Sequence, residues 1–181
     1  MNKNKLLIIT GKSCSGKNTL ANRIKQHYDI HEALSFTTRP MRPGEEQGKD
    51  YMFITFDDFF ELERQNKLLE SIEYHGNRYG LSEYSFDFNK DNIAIVDPEG
   101  TEQLRKNLSN RFEIITVLLD APDEVILERF KNRGDDPEDA KRRFIKDKEM
   151  FNPQIVPHDI YVMYPDELDY HSIFKKALKK A

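Results

Sequence analysis

A chain of 181 residues is long enough for one domain with a substantial core, or for a core carrying inserted lobes. Hydrophobic residues make up 38% and charged residues 33%, and the net charge is −4, a balance that argues against a general nucleic-acid binder. No apolar run approaches the ~20 residues of a bilayer span, and one cysteine cannot close an intramolecular disulfide, so no membrane partner and a cytoplasmic setting are expected.

The first residues, Met1-Asn2-Lys3-Asn4-Lys5, are basic, but the apolar stretch behind them is shorter than a signal-peptide core of ~7–15 residues. That stretch, Leu6-Leu7-Ile8-Ile9, is continuous rather than alternating and predicts a buried parallel strand over Lys5–Thr10. Gly11-Lys12-Ser13-Cys14-Ser15-Gly16-Lys17-Asn18-Thr19 comes next, and a helix is predicted from Lys17 to about Tyr28. Strand, glycine-bounded loop, lysine and helix form the setting of a phosphate-binding P-loop. Unpaired N–H groups at the helix start point into such a loop, and the helix dipole adds partial positive charge. Lys17 supplies a full charge for the β- and γ-phosphates of a nucleotide. A surface turn before a helix is the alternative, and the apolar strand upstream weighs against it. Ser or Thr normally follows the lysine to bind Mg²⁺, and here Asn18 does.

A short segment, Ala33–Phe36, leads into Thr37-Thr38-Arg39-Pro40-Met41-Arg42-Pro43-Gly44-Glu45. Its prolines exclude a helix interior and favour extended or polyproline geometry, which repeats every three residues. Arg39 and Arg42 then project from one edge as an anion clamp, or as a solvated basic loop. Lys49–Phe56 reads as a strand, Asp57 or Asp58 as the cap of a helix to about Asn66, and Leu68–Tyr74 as a strand carrying Glu70 and Glu73. His75–Gly80 reads as a turn-rich loop.

Asn92–Asp97 predicts a second apolar strand ending in an acid, and Pro98 starts a helix to about Leu108. Phe112–Leu119 predicts a third, followed by a helix from Asp123 to near Gly134 with Arg129 and Arg133 on one face. Asp135–Asp139 reads as a mobile tip. A charged helix, Ala140 to about Phe151, carries Arg142 and Arg143 near its start, and Asp159–Met163 and Glu167–Lys180 read as a last strand and helix. The strand–helix alternation at both ends predicts a parallel α/β sheet, and residues 36–88 an inserted lobe rich in antiparallel strands.

Ser35-Phe36-Thr37-Thr38-Arg39-Pro40-Met41-Arg42-Pro43-Gly44-Glu45, with Gly48-Lys49-Asp50-Tyr51, resembles the guanylate kinase family. Leu69-Glu70, Gly76-Asn77-Arg78-Tyr79-Gly80, Val96-Asp97-Pro98-Glu99-Gly100 and Arg133-Gly134 continue the likeness, which with the P-loop covers nearly the whole chain. It implies one domain with a P-loop kinase fold. The parallel-sheet core flanked by helices would take residues 1–35, 89–128 and 152–181, an antiparallel GMP-binding lobe 36–88, and a small helical lid 129–151.

The same resemblance implies phosphorylation of GMP or dGMP by ATP, with Mg²⁺ as cofactor and no nucleic-acid partner. Ser13, Cys14, Ser15, Gly16, Lys17, Asn18 and Thr19 would bind ATP, with Asn18 toward the metal. Ser35, Glu70 and Asp97 would read the base, because a carboxylate accepts both guanine donors. Arg39, Arg42, Tyr51 and Tyr79 would hold the monophosphate. Lys17, Arg39, Arg129, Arg133 and Arg143 would act in catalysis, with Arg142 the alternative to Arg143. A binding module without catalysis, a kinase for another monophosphate, and one for a ribose phosphate are the competing readings. Monomer and homodimer both remain open.

Several positions depart from the family pattern. Leu81 stands where Ser or Thr usually touches the base, Ile95 where many relatives have a second acid, and Glu99 where Gln is common. The lid is about one residue short, and Tyr164 falls where an asparagine often meets adenine. Cys14 is either a loop filler or a thiol with a low pKa at a helix start.

Overall fold

The computed structural model describes residues 3–163 together with Lys175 and Ala177, both helical. The expected last helix is otherwise outside the described residues, as is Tyr164. The chain begins with β1 (Asn4–Thr10), α1 (Lys17–His27), β2 (His31–Ala33), β3 (Phe36–Thr37) and β4 (Met52–Phe53). It continues through α2 (Phe56–Arg64), β5 (Leu68–Tyr74), β6 (Asn77–Ser82), β7 (Asn92–Ile95) and α3 (Pro98–Leu108). It ends with β8 (Phe112–Asp120), α4 (Asp123–Arg133), α5 (Pro137–Met150) and β9 (Ile160–Met163).

Five strands form a parallel sheet in the order β2-β7-β1-β8-β9. The first strand lies in the middle because its apolar run faces a core on both sides. Leu7 and Ile9 pack with Leu20 and Ile24 of α1, whereas Leu6 and Ile8 pack with Leu104 and Leu108 of α3. The loop after β1 therefore opens where β7 and β8 diverge to either side, the usual ligand crevice of such a sheet.

The second sheet, β4-β3-β6-β5, is built from the inserted segment. It is antiparallel apart from the β3–β4 pair, which is parallel. Four local expectations are corrected. The strand expected over Lys49–Phe56 narrows to Met52–Phe53. Thr55, not Asp57 or Asp58, caps α2: its hydroxyl accepts the Asp58 N–H at 3.1 Å while the Asp58 carboxylate accepts back from Thr55. The expected 75–80 loop is a tight turn at His75-Gly76, where φ is +50° and +71°, and the chain from Asn77 is already strand, paired to Tyr74. The expected tip at 135–139 is shorter, because Asp136 caps α5 by accepting the Glu138 and Asp139 N–H groups. Among the described residues, no helix is long and apolar enough to cross a membrane.

Candidate active site

The phosphate loop is shaped by close backbone contact. A Cβ on Gly11 would lie 2.0 Å from the Leu119 carbonyl oxygen, so only a hydrogen fits where the loop leaves β1 against β8. Lys12 turns away from the loop to pair with Asp120 at 2.8 Å, both buried. Lys17 curls over the loop and donates to the carbonyls of Gly11 at 2.7 Å and Lys12 at 2.8 Å. Burial pushes its ammonium down to about 8. The Ser15 side chain is fully buried under the loop and does not border the cavity, which leaves its backbone as the part that could face a phosphate. Cys14 holds φ at +60°, and burial raises its thiol pKa, so the reading of a low-pKa thiol is overturned.

Across the cavity stand the residues of the second sheet. Arg39 is buried and held by Glu45 at two points, 2.8 and 3.0 Å. Its guanidinium lies 5.3 Å from the centre of the Tyr51 ring, and the Tyr51 and Tyr79 rings meet edge to face at 6.0 Å. Burial pushes the Tyr51 hydroxyl up to about 12, so it stays a neutral donor. Arg42 borders the same space, its backbone N–H donating to Glu45 at 2.8 Å.

The part of the cavity bordered by Glu70 and Asp97 is acidic. Glu70 is 2% exposed on β5. Burial, with Asp97 beside it, pushes its carboxyl up to about 8. Its Oε2 is buried with no hydrogen-bond partner, and the residue borders the cavity. Asp97 caps α3 by accepting the Gly100 N–H at 2.7 Å, and burial raises its pKa as well. Ser35 borders the same end.

The third wall comes from α4 and α5. Arg129 donates to the Cys14 carbonyl at 3.0 Å. Arg133 pairs with Asp135, and Arg143 with Asp139 at 2.6 Å. Arg143 borders the cavity and keeps a side-chain exposure of 19%, while Arg142 is 70% exposed, pairs with Asp139 and lies off it. The three walls enclose about 520 Å³, bordered by Ser13, Cys14, Gly16, Lys17, Asn18 and Thr19 at one end and Ser35, Tyr79, Glu70 and Asp97 at the other. Arg39, Arg42, Arg129, Arg133 and Arg143 line it with Tyr51. A chamber of this size with cations in the middle and carboxylates at one end suits two polyanions meeting head on.

Comparison with known proteins gives this arrangement a family. The guanylate kinase pattern matches residues 3–178. The chain belongs to the guanylate kinase family. A guanylate kinase of Nostoc sp. is 35% identical over 167 residues, which is 86% of this chain and 83% of that protein. One of Paraburkholderia xenovorans is 37% identical over 146 residues, 77% of this chain and 64% of that protein. The crystal structure of guanylate kinase from Anaplasma phagocytophilum shares the fold, with a TM-score of 0.66 at 20% identity over 97% of this chain and 84% of the other.

Against the guanylate kinase pattern, the departures separate by position. Leu81, expected beside the base, is fully buried with Leu6, Ile8 and Phe86. It lies on the same face of β6 as Tyr79 but past the cavity, where the second sheet meets the core. Ile95 does border the cavity, so an apolar wall replaces the second acid. Glu99 is exposed and off the cavity. The sequence reading gave no role to Glu45, Tyr74, His75 or Asn77, which also border the site. Glu45 stood inside the quoted motif. Asn77 stood in the quoted Gly76–Gly80 motif, Tyr74 ends the strand that was expected, and His75 lies in the tight turn after it.

Proposed function

We propose that this guanylate kinase family member transfers the γ-phosphoryl group of ATP to the phosphate of GMP or dGMP, giving ADP and GDP or dGDP. The observation that carries the reading is one cavity with Lys17 at the phosphate loop, buried Glu70 at the far end and arginines between them. Family membership and fold support ATP-dependent GMP phosphorylation over the competing readings.

A GMP phosphate oxygen forms the new bond to the γ-phosphorus as the bond to the β–γ bridging oxygen breaks. With its second pKa near ~6, that phosphate is already anionic at neutral pH, so no general base is needed. Catalysis is then alignment and charge neutralisation. Lys17 holds the β- and γ-phosphates, with N–H groups of Cys14, Gly16, Asn18 and Thr19 around them. Arg39, Arg42, Tyr51 and Tyr79 hold the acceptor phosphate. Ser35, Glu70 and Asp97 hold the guanine edge. Arg133 and Arg143 leave their carboxylate partners, and Arg129 the Cys14 carbonyl, for the transferring group. Residues 36–88 and 129–151 act as the moving parts that shut out water.

The donor set fits Mg²⁺. Asn18 is exposed and borders the cavity, and its amide oxygen is of the type that would hold a hard cation directly or through a water. When bound, Mg²⁺ neutralises charge on the β and γ oxygens. The setting we propose is the cytoplasm. The test is a coupled ADP assay over GMP, dGMP, AMP, dTMP, UMP and CMP. Turnover of ~1–100 per second with GMP or dGMP alone is expected. Tight GMP binding without turnover of any acceptor overturns the reading, as does a Lys17→Ala variant that keeps full activity.

A further inference from the structure

Asp147 is a charged residue on the third turn of α5 with 1% exposure. A buried carboxylate costs several kcal/mol unless its oxygens are well satisfied. Both are, and by two other parts of the molecule. Oδ2 accepts the backbone N–H of Ser13 in the phosphate loop at 2.6 Å. Oδ1 accepts the Tyr74 hydroxyl, at the end of β5, at 2.5 Å. The Tyr74 and Ser13 hydroxyls also meet, at 3.3 Å. One side chain thus joins the ATP loop, the second sheet and the helix that carries the lid arginine.

Arg143 lies four residues earlier on α5, hence one turn away on the same face. Its guanidinium reaches the cavity, where Asp139 and Asp135 are its carboxylate neighbours at 2.6 and 3.9 Å. A helix pinned at Asp147 by a backbone donor and a phenol has its rotation and its distance from the loop fixed at that turn. Arg143 inherits both. Displacements near 1 Å cost ~10²-fold in rate when reacting groups must be aligned.

We propose that Asp147 is a positioning residue for phosphoryl transfer: it ties α5 to Ser13 and Tyr74 and so sets where Arg143 enters the site. The proposal rests on the catalytic reading of Arg143. Asp147 itself does not border the cavity. Its two donors come from the ATP-binding and GMP-binding sides, so the tie is complete only when both sides and the helix are in register.

The test is a double-mutant cycle of Asp147→Ala with Arg143→Ala, following kcat and both KM values, with melting temperature alongside. Expected is a fall in kcat of about 10²-fold for Asp147→Ala, with KM for ATP and GMP within about threefold of wild type. On the Arg143→Ala background the same change should lower kcat by less than about twofold. A full further loss on that background overturns the tie, because Asp147 would then act elsewhere or only through stability. Tighter ATP binding with unchanged kcat also overturns it, by making the carboxylate a competitor for the phosphate loop. If Arg143→Ala alone leaves kcat at the wild-type value, the reading of Arg143 fails, and the tie fails with it while the kinase assignment stands. Tyr74→Phe removes a single hydroxyl and serves the same cycle where Asp147→Ala does not fold. A smaller kcat loss, absent on the Arg143→Ala background, is expected, and an equal loss on both backgrounds overturns the tie.

Discussion

Gly100 and Glu70 share one space. A Cβ on Gly100 would lie 2.7 Å from Glu70 Oε1, 3.0 Å from its Cγ and 3.1 Å from its Cδ. The first turn of α3 therefore presses directly on the carboxyl proposed to read the base. Gly100→Ala must move the Glu70 side chain, since helix backbone yields less readily than a side-chain end. Stability should change little, because Ala favours the helix by up to ~1 kcal/mol over Gly. Recognition should suffer instead: KM for GMP is expected to rise about tenfold, with KM for ATP within about twofold. Steady-state kinetics with each substrate varied checks this, and an equal rise in both would mean a general distortion.

Glu70 and Lys17 should give the two substrates opposite proton linkage. Glu70 holds its proton up to about 8 in the free protein. Guanine presents two donors, so the carboxylate must be ionised to accept both. GMP binding at pH 7 should release a proton, and GMP affinity should climb from pH 6 to 8. Lys17 loses its proton above about 8. ATP needs the charged form, so at pH 8.5 its binding should take up a proton, and its affinity should fall as pH rises. Calorimetry in buffers of different ionisation enthalpy reads both signs. Stability follows the same logic. A carboxyl with a raised folded-state pKa contributes stability below its ordinary value of 4.5 that is lost as pH rises through about 8. Glu70→Gln should therefore be more stable than wild type at pH 8.5, by on the order of a few kcal/mol in unfolding free energy, while losing GMP turnover.

Much of this site was legible because its groups sit at fixed spacings on one chain. Gly11, Gly16 and Lys17 followed an apolar strand, and both arginines of the 39–42 segment border the cavity as their shared edge suggested. Glu70 and Asp97 needed the family likeness, since an isolated strand glutamate reads as solvated. What sequence did not reveal was pairing across distance. Asp147 lies 134 residues from Ser13 and 73 from Tyr74, and nothing local marks it apart from other acids of a charged helix. Arg142 and Arg143 are adjacent, so only the helix phase against α4 and the loop decides which one enters. Leu81 went astray because a motif position does not say which side of the backbone faces the core.

Tyr51 and Tyr79 should each contribute through one hydroxyl. Their rings are packed edge to face, and Phe keeps that contact. A hydrogen bond to a charged group is worth ~1.5–3 kcal/mol. Tyr51→Phe should therefore weaken GMP binding about 10- to 100-fold, with guanosine binding and ATP binding unchanged. The loss should hold from pH 7 to 9, since burial keeps the Tyr51 hydroxyl protonated up to about 12. Titration of GMP and guanosine against wild type and the Phe variants checks this. An equal loss for guanosine would place the tyrosines in base packing rather than at the phosphate.

Asn18 is the remaining departure in the phosphate loop, and its effect can be isolated from folding. It is exposed at the first turn of α1 and borders the cavity, so Asn18→Ser should leave stability within ~0.5 kcal/mol. A hydroxyl and an amide oxygen can each ligate a hard cation or hold one of its waters, but the longer amide reaches the site with a different geometry. The Mg²⁺ concentration for half-maximal activity should stay the same or fall in Asn18→Ser, with kcat unchanged or higher. Asn18→Leu removes the oxygen altogether and should raise that concentration about tenfold, a difference of ~1.4 kcal/mol, while metal-free ATP binding stays near wild type. Titrating Mg²⁺ at fixed free ATP distinguishes these outcomes. A large fall in kcat for Asn18→Ser would show instead that the amide makes a contact with ATP that a hydroxyl cannot replace.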